Sequence, residues 1–229
     1  MDMPMTDRTD AHLPAALRVR LAADYAAVRP LPPPFARALM LAPFALLALV
    51  AAPWWFDLRV DMARLGWAQA WGWSLLQSIA GVVLVAAALH EAVPGRAWSR
   101  VPLALWLLAP IALVIVVTFS TYGASPIALR NGWAIVGAMC LAGSLATALP
   151  GAVLAAVLAA RAYPTRPALT GLLGGLGAGL MADAGWRLFC HFSEPAHVLS
   201  AHLSGVIAAG LCGALLSQRL HSRYFPSSL

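Results

Sequence analysis

The chain has no lysine: all 15 of its basic residues are arginine. Charge of either sign is scarce, at 10% of residues, against about 25% in an ordinary soluble domain. Cysteine is sparse and odd in number, at three, with no Cys-x-x-Cys pair, so a zinc ribbon or finger is excluded. There is no phosphate-binding Gly-Lys loop, dinucleotide fingerprint or nucleophile elbow, and nothing points to an enzyme. A secretory signal peptide is not expected either, because the first apolar run begins only after Arg37 rather than behind a short basic start. A net charge of +6 and a pI near 10.0 could suggest a nucleic-acid binder. The arginines, however, are scattered at the ends of apolar runs. They read as topology signals, and no direct nucleic-acid contact is expected.

What the chain has instead is apolar length. Hydrophobic residues make up 61% of it, with a mean hydropathy of +0.78. Six apolar runs, 38–56, 69–90, 101–119, 133–160, 168–188 and 198–217, each approach the roughly 20 residues a spanning helix needs. Pro110 and Pro150 fall inside the third and fourth. With the N-terminus inside, 11 arginines lie in inner segments, and Arg59, Arg64, Arg130 and Arg187 in outer ones. The positive-inside rule then puts both termini in the cytoplasm. Trp54, Trp55, Trp67, Trp71, Trp73, Trp133 and Trp186 fall near the outer boundary, where an aromatic belt belongs. The fold class is an all-α integral membrane protein, a six-transmembrane-helix bundle surrounded by lipid bilayer. It comprises a cytoplasmic tail (1–37), the helical domain (38–217) and a short cytoplasmic C-terminal tail (218–229).

The N-terminal segment is the one sizeable polar stretch. Leu13, Leu17, Leu21 and Val28 recur near helical spacing, and Leu17, Leu21 and Asp24 lie along one side. This predicts a short amphipathic helix over 14–28, followed by a stiff spacer through Pro30, Pro32, Pro33 and Pro34. A helix this short is marginal alone in water and would order on a partner or on the membrane surface. A frayed tail is the plainer alternative.

The fifth run carries Gly171, Gly175 and Gly179 at steps of four, which predicts close helix packing rather than a ligand site. Between the fifth and sixth runs, residues 183–202 gather a Cys, three His, two acids and an Arg. Ionisable groups at a membrane boundary mark function unless they merely pair. The plainer reading is a polar turn with an Asp183–Arg187 pair four residues apart. Cys190, His191, Glu194 and His197 fall in the outer loop, and His202 lies about one turn into the sixth run. Cys140 lies roughly 10 Å below the outer end of the fourth run, on the same side of the membrane as Cys190. Three chemistries fit: a Cys140–Cys190 disulfide, a soft metal held by thiolates with His191, His197 or His202, or an oxidant-responsive thiol. Cys212 lies deep in the sixth run, as an apolar filler. Asp183 must pair or line a polar cavity. His90 and His202 fall at opposite sides, so a haem shared between them is not expected.

Val28 to Pro32 (Val-Arg-Pro-Leu-Pro) ahead of six spans, Cys140, the Leu149–Pro150 pair, the Gly-rich fifth run and the Cys190, Glu194, Pro195, His197 loop together resemble the NrsF family of bacterial inner-membrane anti-sigma factors. The resemblance covers nearly the whole chain. It implies a multi-pass protein of the bacterial inner membrane that clamps an extracytoplasmic-function sigma factor through its cytoplasmic N-terminus. An outside stress, metal or oxidant, would be read by Cys140 and Cys190. The sigma-binding candidates are then Leu13, Leu17, Arg20, Leu21, Asp24, Tyr25, Val28 and Arg29. His191, Glu194, His197 and His202 join the sensor candidates by proximity alone. No resident cofactor is expected beyond a transient metal ion, and self-association into a homo-oligomer is left open. The competing reading is a transporter or permease subunit, which needs a polar pathway that Asp183 alone only weakly suggests.

Overall fold

The computed structural model describes residues 14–24, 30–128 and 132–224. It divides into two units, Met1–Leu31 and Pro32–Leu229. Among the described residues there are helices and turns and no strand.

The first unit holds helix α1 (Ala15–Asp24). The Pro14 carbonyl accepts the amides of Leu17 and Arg18 at 2.9 and 3.1 Å. Proline suits this start because its missing N–H has no helical partner there anyway. Leu17, Val19 and Arg20 are exposed, and Leu21 and Asp24 complete the helix. The expected helix over 14–28 is thus seen as far as Asp24. Leu13, Tyr25, Val28 and Arg29 lie outside the described residues.

The second unit begins with α2 (Pro34–Ala38), a 3-10 turn (Leu39–Leu41) and α3 (Ala42–Phe56). Pro43, in the first turn of α3, has no N–H to bond back, and its ring crowds the carbonyl four residues earlier. The tightened turn falls just there. A short α4 (Met62–Leu65) leads into α5 (Trp67–Glu91) through Gly66, whose φ of 81° would strain an L side chain. Then come α6 (Arg100–Ala124), α7 (Trp133–Ala160) and α8 (Pro167–Phe189). A three-residue α9 (Pro195–His197) runs into a π-helical turn (Val198–Leu203) and α10 (Ser204–Tyr224).

Helix α8 is the centre of the bundle, packed against α3, α5, α7 and α10. Its glycines make that possible. A Cβ on Gly171 or Gly175 would collide with the α10 backbone at Gly213 and Ala209, and one on Gly179 would press on Val206. The small face expected from Gly171, Gly175 and Gly179 is therefore the face that meets α10. A second face was not foreseen: Gly177 meets Gly81 of α5, and Gly185 meets the Ala48 carbonyl of α3.

Five helical segments are long and apolar enough to cross a membrane: Pro34–Phe56, Trp67–Glu91, Arg100–Ala124, Trp133–Ala160 and Pro195–Arg223. They make this a multi-pass membrane protein. Of the six expected spans, α8 is the one not among them. Ringed by other helices, it has little lipid to face, and six glycines and Asp183 take the places of larger apolar side chains. The apolar exterior lies on the other helices, where Leu46, Leu47, Leu105, Leu108, Ile135 and Met139 are exposed. A chain in water would bury such surface; lipid need not.

Candidate functional site at one end of the bundle

Connections 57–66 and 190–194 and residues 125–128 meet at one end of the bundle. The Arg59 amide donates to the Leu188 carbonyl at 2.9 Å. Its guanidinium grips Asp61 through Nε and Nη2 at 2.6 and 2.7 Å. The same guanidinium reaches the carbonyls of Arg187 and His191. Burial alone would raise the Asp61 carboxyl, but the bonds and charge of Arg59 take it below its ordinary value. The Ser193 hydroxyl donates to the Ser125 carbonyl and accepts the Ile127 amide. The loops are thereby braced against one another and need not be ordered by a ligand.

Inside this brace the bundle gathers Cys140, Cys190, His197 and His202. One ligand atom from each can be chosen so that all four lie within 4.8 Å of one another. All four residues are buried, none more than 5% exposed. The two sulfurs are 3.9 Å apart, and Cys190 Sγ is 3.5 Å from His197 Nε2. Cys140 comes from the second turn of α7, and Cys190 caps the C-terminus of α8 in extended backbone. The histidines are brought together by the π-helical turn. In an α-helix, residues five apart point roughly 140° away from each other; a π turn closes residue i onto i+5. The rings of His197 and His202 accordingly stand 5.5 Å apart, centre to centre. Trp133 and Phe192 flank His197 in T-shaped ring contacts.

Behind His202 lies a wholly buried polar network. Its Nδ1 is 2.7 Å from Asp183 Oδ1. Asp183 Oδ2 accepts Gln77 Nε2 of α5 at 2.5 Å and Arg187 Nε at 2.8 Å. Arg187 Nη2 in turn donates to the Thr118 hydroxyl of α6 at 3.0 Å. One carboxylate thus ties α5, α8 and the π-helical turn ahead of α10 together, and through Arg187 also α6. Arg187, expected as its partner, is one of three. Gln77 and Thr118 were missed, although a Gln in the middle of the 69–90 run is the kind of signal that could have found the first of them. Beside Cys190 and His202, a cavity lined also by Arg59, Arg187, Thr118 and Thr121 has room for about one water molecule. The hydrogen bond from Cys140, and His197 and His202 close by, lower the pKa of the Cys190 thiol, against the raising effect of burial.

The structure thus joins four of the six sensor candidates. His191 packs at a tilt against Phe192 and Glu194 begins α9 through its backbone; neither belongs to the cluster. Cys212 is half-buried in α10, away from the other two cysteines.

The opposite end is held differently. Arg37, 2% exposed, donates to Leu158 O of α7 at 3.1 Å and to Leu89 O of α5 at 3.2 Å, where the two helices present their last free carbonyls. Glu91, its side chain buried, pairs with Arg166 at 2.5 Å and accepts the Trp98 amide at 2.7 Å.

Fold and site together define a polytopic helical membrane protein with a buried Cys–His cluster at one end. The NrsF family, described as negative regulator of sigma F, matches residues 21–222, and the chain belongs to that family. It is therefore a negative regulator of a sigma factor, and a sigma factor is its partner. No curated protein and no solved structure matches it.

Proposed function

We propose that the chain is a membrane-embedded anti-sigma factor that sequesters an extracytoplasmic-function sigma factor through its cytoplasmic N-terminal residues. Release follows when Cys140 and Cys190 sense metal or oxidative stress on the periplasmic side. The observation that carries this reading is the 3.9 Å separation of the two sulfurs, one on α7 and the other at the C-terminal cap of α8. The protein sits in the bacterial inner membrane with six spans, α8 being the fifth along the chain, and both termini inside. Arginine placement supports that orientation: Arg37, Arg96, Arg100, Arg161, Arg166, Arg219 and Arg223 lie toward the end held by Arg37, and Arg59, Arg64 and Arg187 toward the Cys–His end. The sigma-binding candidates are Leu13, Leu17, Arg20, Leu21, Asp24, Tyr25, Val28 and Arg29. The protein is not an enzyme and keeps no resident cofactor. A transporter reading has less support, since the Asp183 carboxylate is taken up by Gln77, Arg187 and His202.

Co-purification from cells producing either the intact chain or one lacking residues 1–34 tests this. Capture of a sigma factor by the intact protein alone is expected. An intact, stably inserted protein that captures none would sink the reading.

A further inference from the structure

We infer that Cys140, Cys190, His197 and His202 form a four-coordinate site for a d10 divalent cation of the zinc and cadmium type, with Asp183 as the residue that orients His202. The distances match the coordination geometry. Metal–sulfur bonds near 2.3 Å at tetrahedral angles place two sulfurs roughly 3.8 Å apart, and with a metal–nitrogen bond near 2.05 Å they place sulfur and nitrogen roughly 3.5 Å apart. The chain holds Cys140 Sγ and Cys190 Sγ at 3.9 Å and Cys190 Sγ and His197 Nε2 at 3.5 Å. His202 Nε2 is buried without a hydrogen-bond partner, while its Nδ1 is committed to Asp183. A metal-binding histidine characteristically donates its other N–H to a carboxylate, which fixes the tautomer and leaves the second nitrogen's lone pair free. Asp183 is itself held by Gln77 and Arg187, so His202 cannot easily turn away.

Charge supports the same assignment. The cation displaces one proton from each thiol, and both protons leave the site. Two thiolates then balance the 2+ ion, both imidazoles bind it as neutral rings, and Asp183 balances Arg187. The loaded centre carries no net charge into a low-dielectric interior, where an unbalanced ion would be costly. Two thiolates with two imidazoles suit zinc-like and softer ions; calcium and magnesium need oxygen ligands that this set lacks.

This deepens the sensor reading above and rests on it for its regulatory meaning, yet metal binding is measured without any sigma factor. The test is a titration of the full-length, reduced, metal-free protein in detergent with Co2+ as the spectroscopic probe. One Co2+ per chain is expected, with thiolate charge-transfer bands and the strong d–d absorption of a tetrahedral centre, displaced by Zn2+ or Cd2+. His197→Ala and His202→Ala should each keep the charge-transfer band and lower affinity by at least about tenfold. Asp183→Asn should weaken binding roughly 10- to 100-fold with the band positions unchanged. Cys212→Ser should change nothing. A weak octahedral spectrum, no binding by a protein whose thiols titrate as free, or full affinity in both histidine variants would overturn the site. The wild-type spectrum decides the donor set even if Asp183→Asn fails to fold. A chain that binds Co2+ but captures no sigma factor upholds the centre and sinks the regulator; one that captures its sigma factor and ignores Co2+ sinks the centre.

Discussion

The Asp183 carboxylate holds His202 Nδ1 at 2.7 Å from within a helix that has protein on nearly every side. Both residues are buried, at 0% and 1% exposure. The contact links the Cys–His cluster to the polar network that joins α5, α6 and α8.

Asp183→Ala should destabilise the bundle by about 3–5 kcal/mol, because it leaves Arg187 as an unpaired buried charge. Thermal unfolding in detergent reads this. The Asp183→Ala/Arg187→Met double variant should lose less than the sum of the two single changes. Strict additivity would show that the two groups do not interact as the geometry indicates.

The pair Cys140 and Cys190 should close into an intramolecular disulfide under mild oxidation, two thiol protons and two electrons passing to the oxidant. Mass spectrometry after digestion would find the 140–190 linkage and leave Cys212 free. Prior Zn2+ should protect the pair. Cross-linking of Cys212 in preference would contradict the 3.9 Å separation.

Alkylation of Cys190 should show a pH midpoint below the roughly 8.5 of a free thiol, although burial slows the absolute rate. The sign follows from the cause: the hydrogen bond from Cys140 is the largest effect favouring the thiolate. In Cys140→Ala the midpoint should therefore move up. A midpoint that stays put would remove Cys140 from the account.

Gly175→Val should disrupt the seam between α8 and α10, since a Cβ there runs into the backbone at Ala209. Overpacking of this kind costs about 1–3 kcal/mol, and more where backbone must move. Gly72→Ala, where nothing lies within 4 Å of the added carbon, should be tolerated. Equal melting temperatures for the two variants would refute the packing argument.

Arg37→Lys should not rescue the loss seen with Arg37→Ala. The guanidinium reaches Leu158 O and Leu89 O with two different nitrogens, whereas an ammonium is a single point donor. Each variant should lower stability by about 1–3 kcal/mol. A lysine variant as stable as the parent would mean that charge alone, and not the fork, joins the two helix ends.

Much of the architecture was legible before any coordinates. Scarce charge and apolar runs of spanning length identify a membrane bundle, because a helix in lipid must be apolar over about 20 residues. The step-of-four glycines announced a close-packed seam. The concentration of ionisable residues over 183–202 marked the site's neighbourhood, since such groups do not persist at a membrane boundary without partners. What the runs could not say was which helix lies beside which, because Leu, Ala and Val look alike from every direction in lipid. Hence only the tertiary structure decided that Cys140 and Cys190, candidates already in the sequence, meet at 3.9 Å, supplied Gln77 and Thr118 to the Asp183–Arg187 pair, and surrounded α8 so fully that it no longer needed a lipid-facing composition. The histidines show the difference most directly. Their spacing of five argues against a shared face in an α-helix, and the π-helical turn overrides that by adding the residue per turn that swings His202 back toward His197, while His191 and Glu194, nearer to Cys190 in the chain, stay outside.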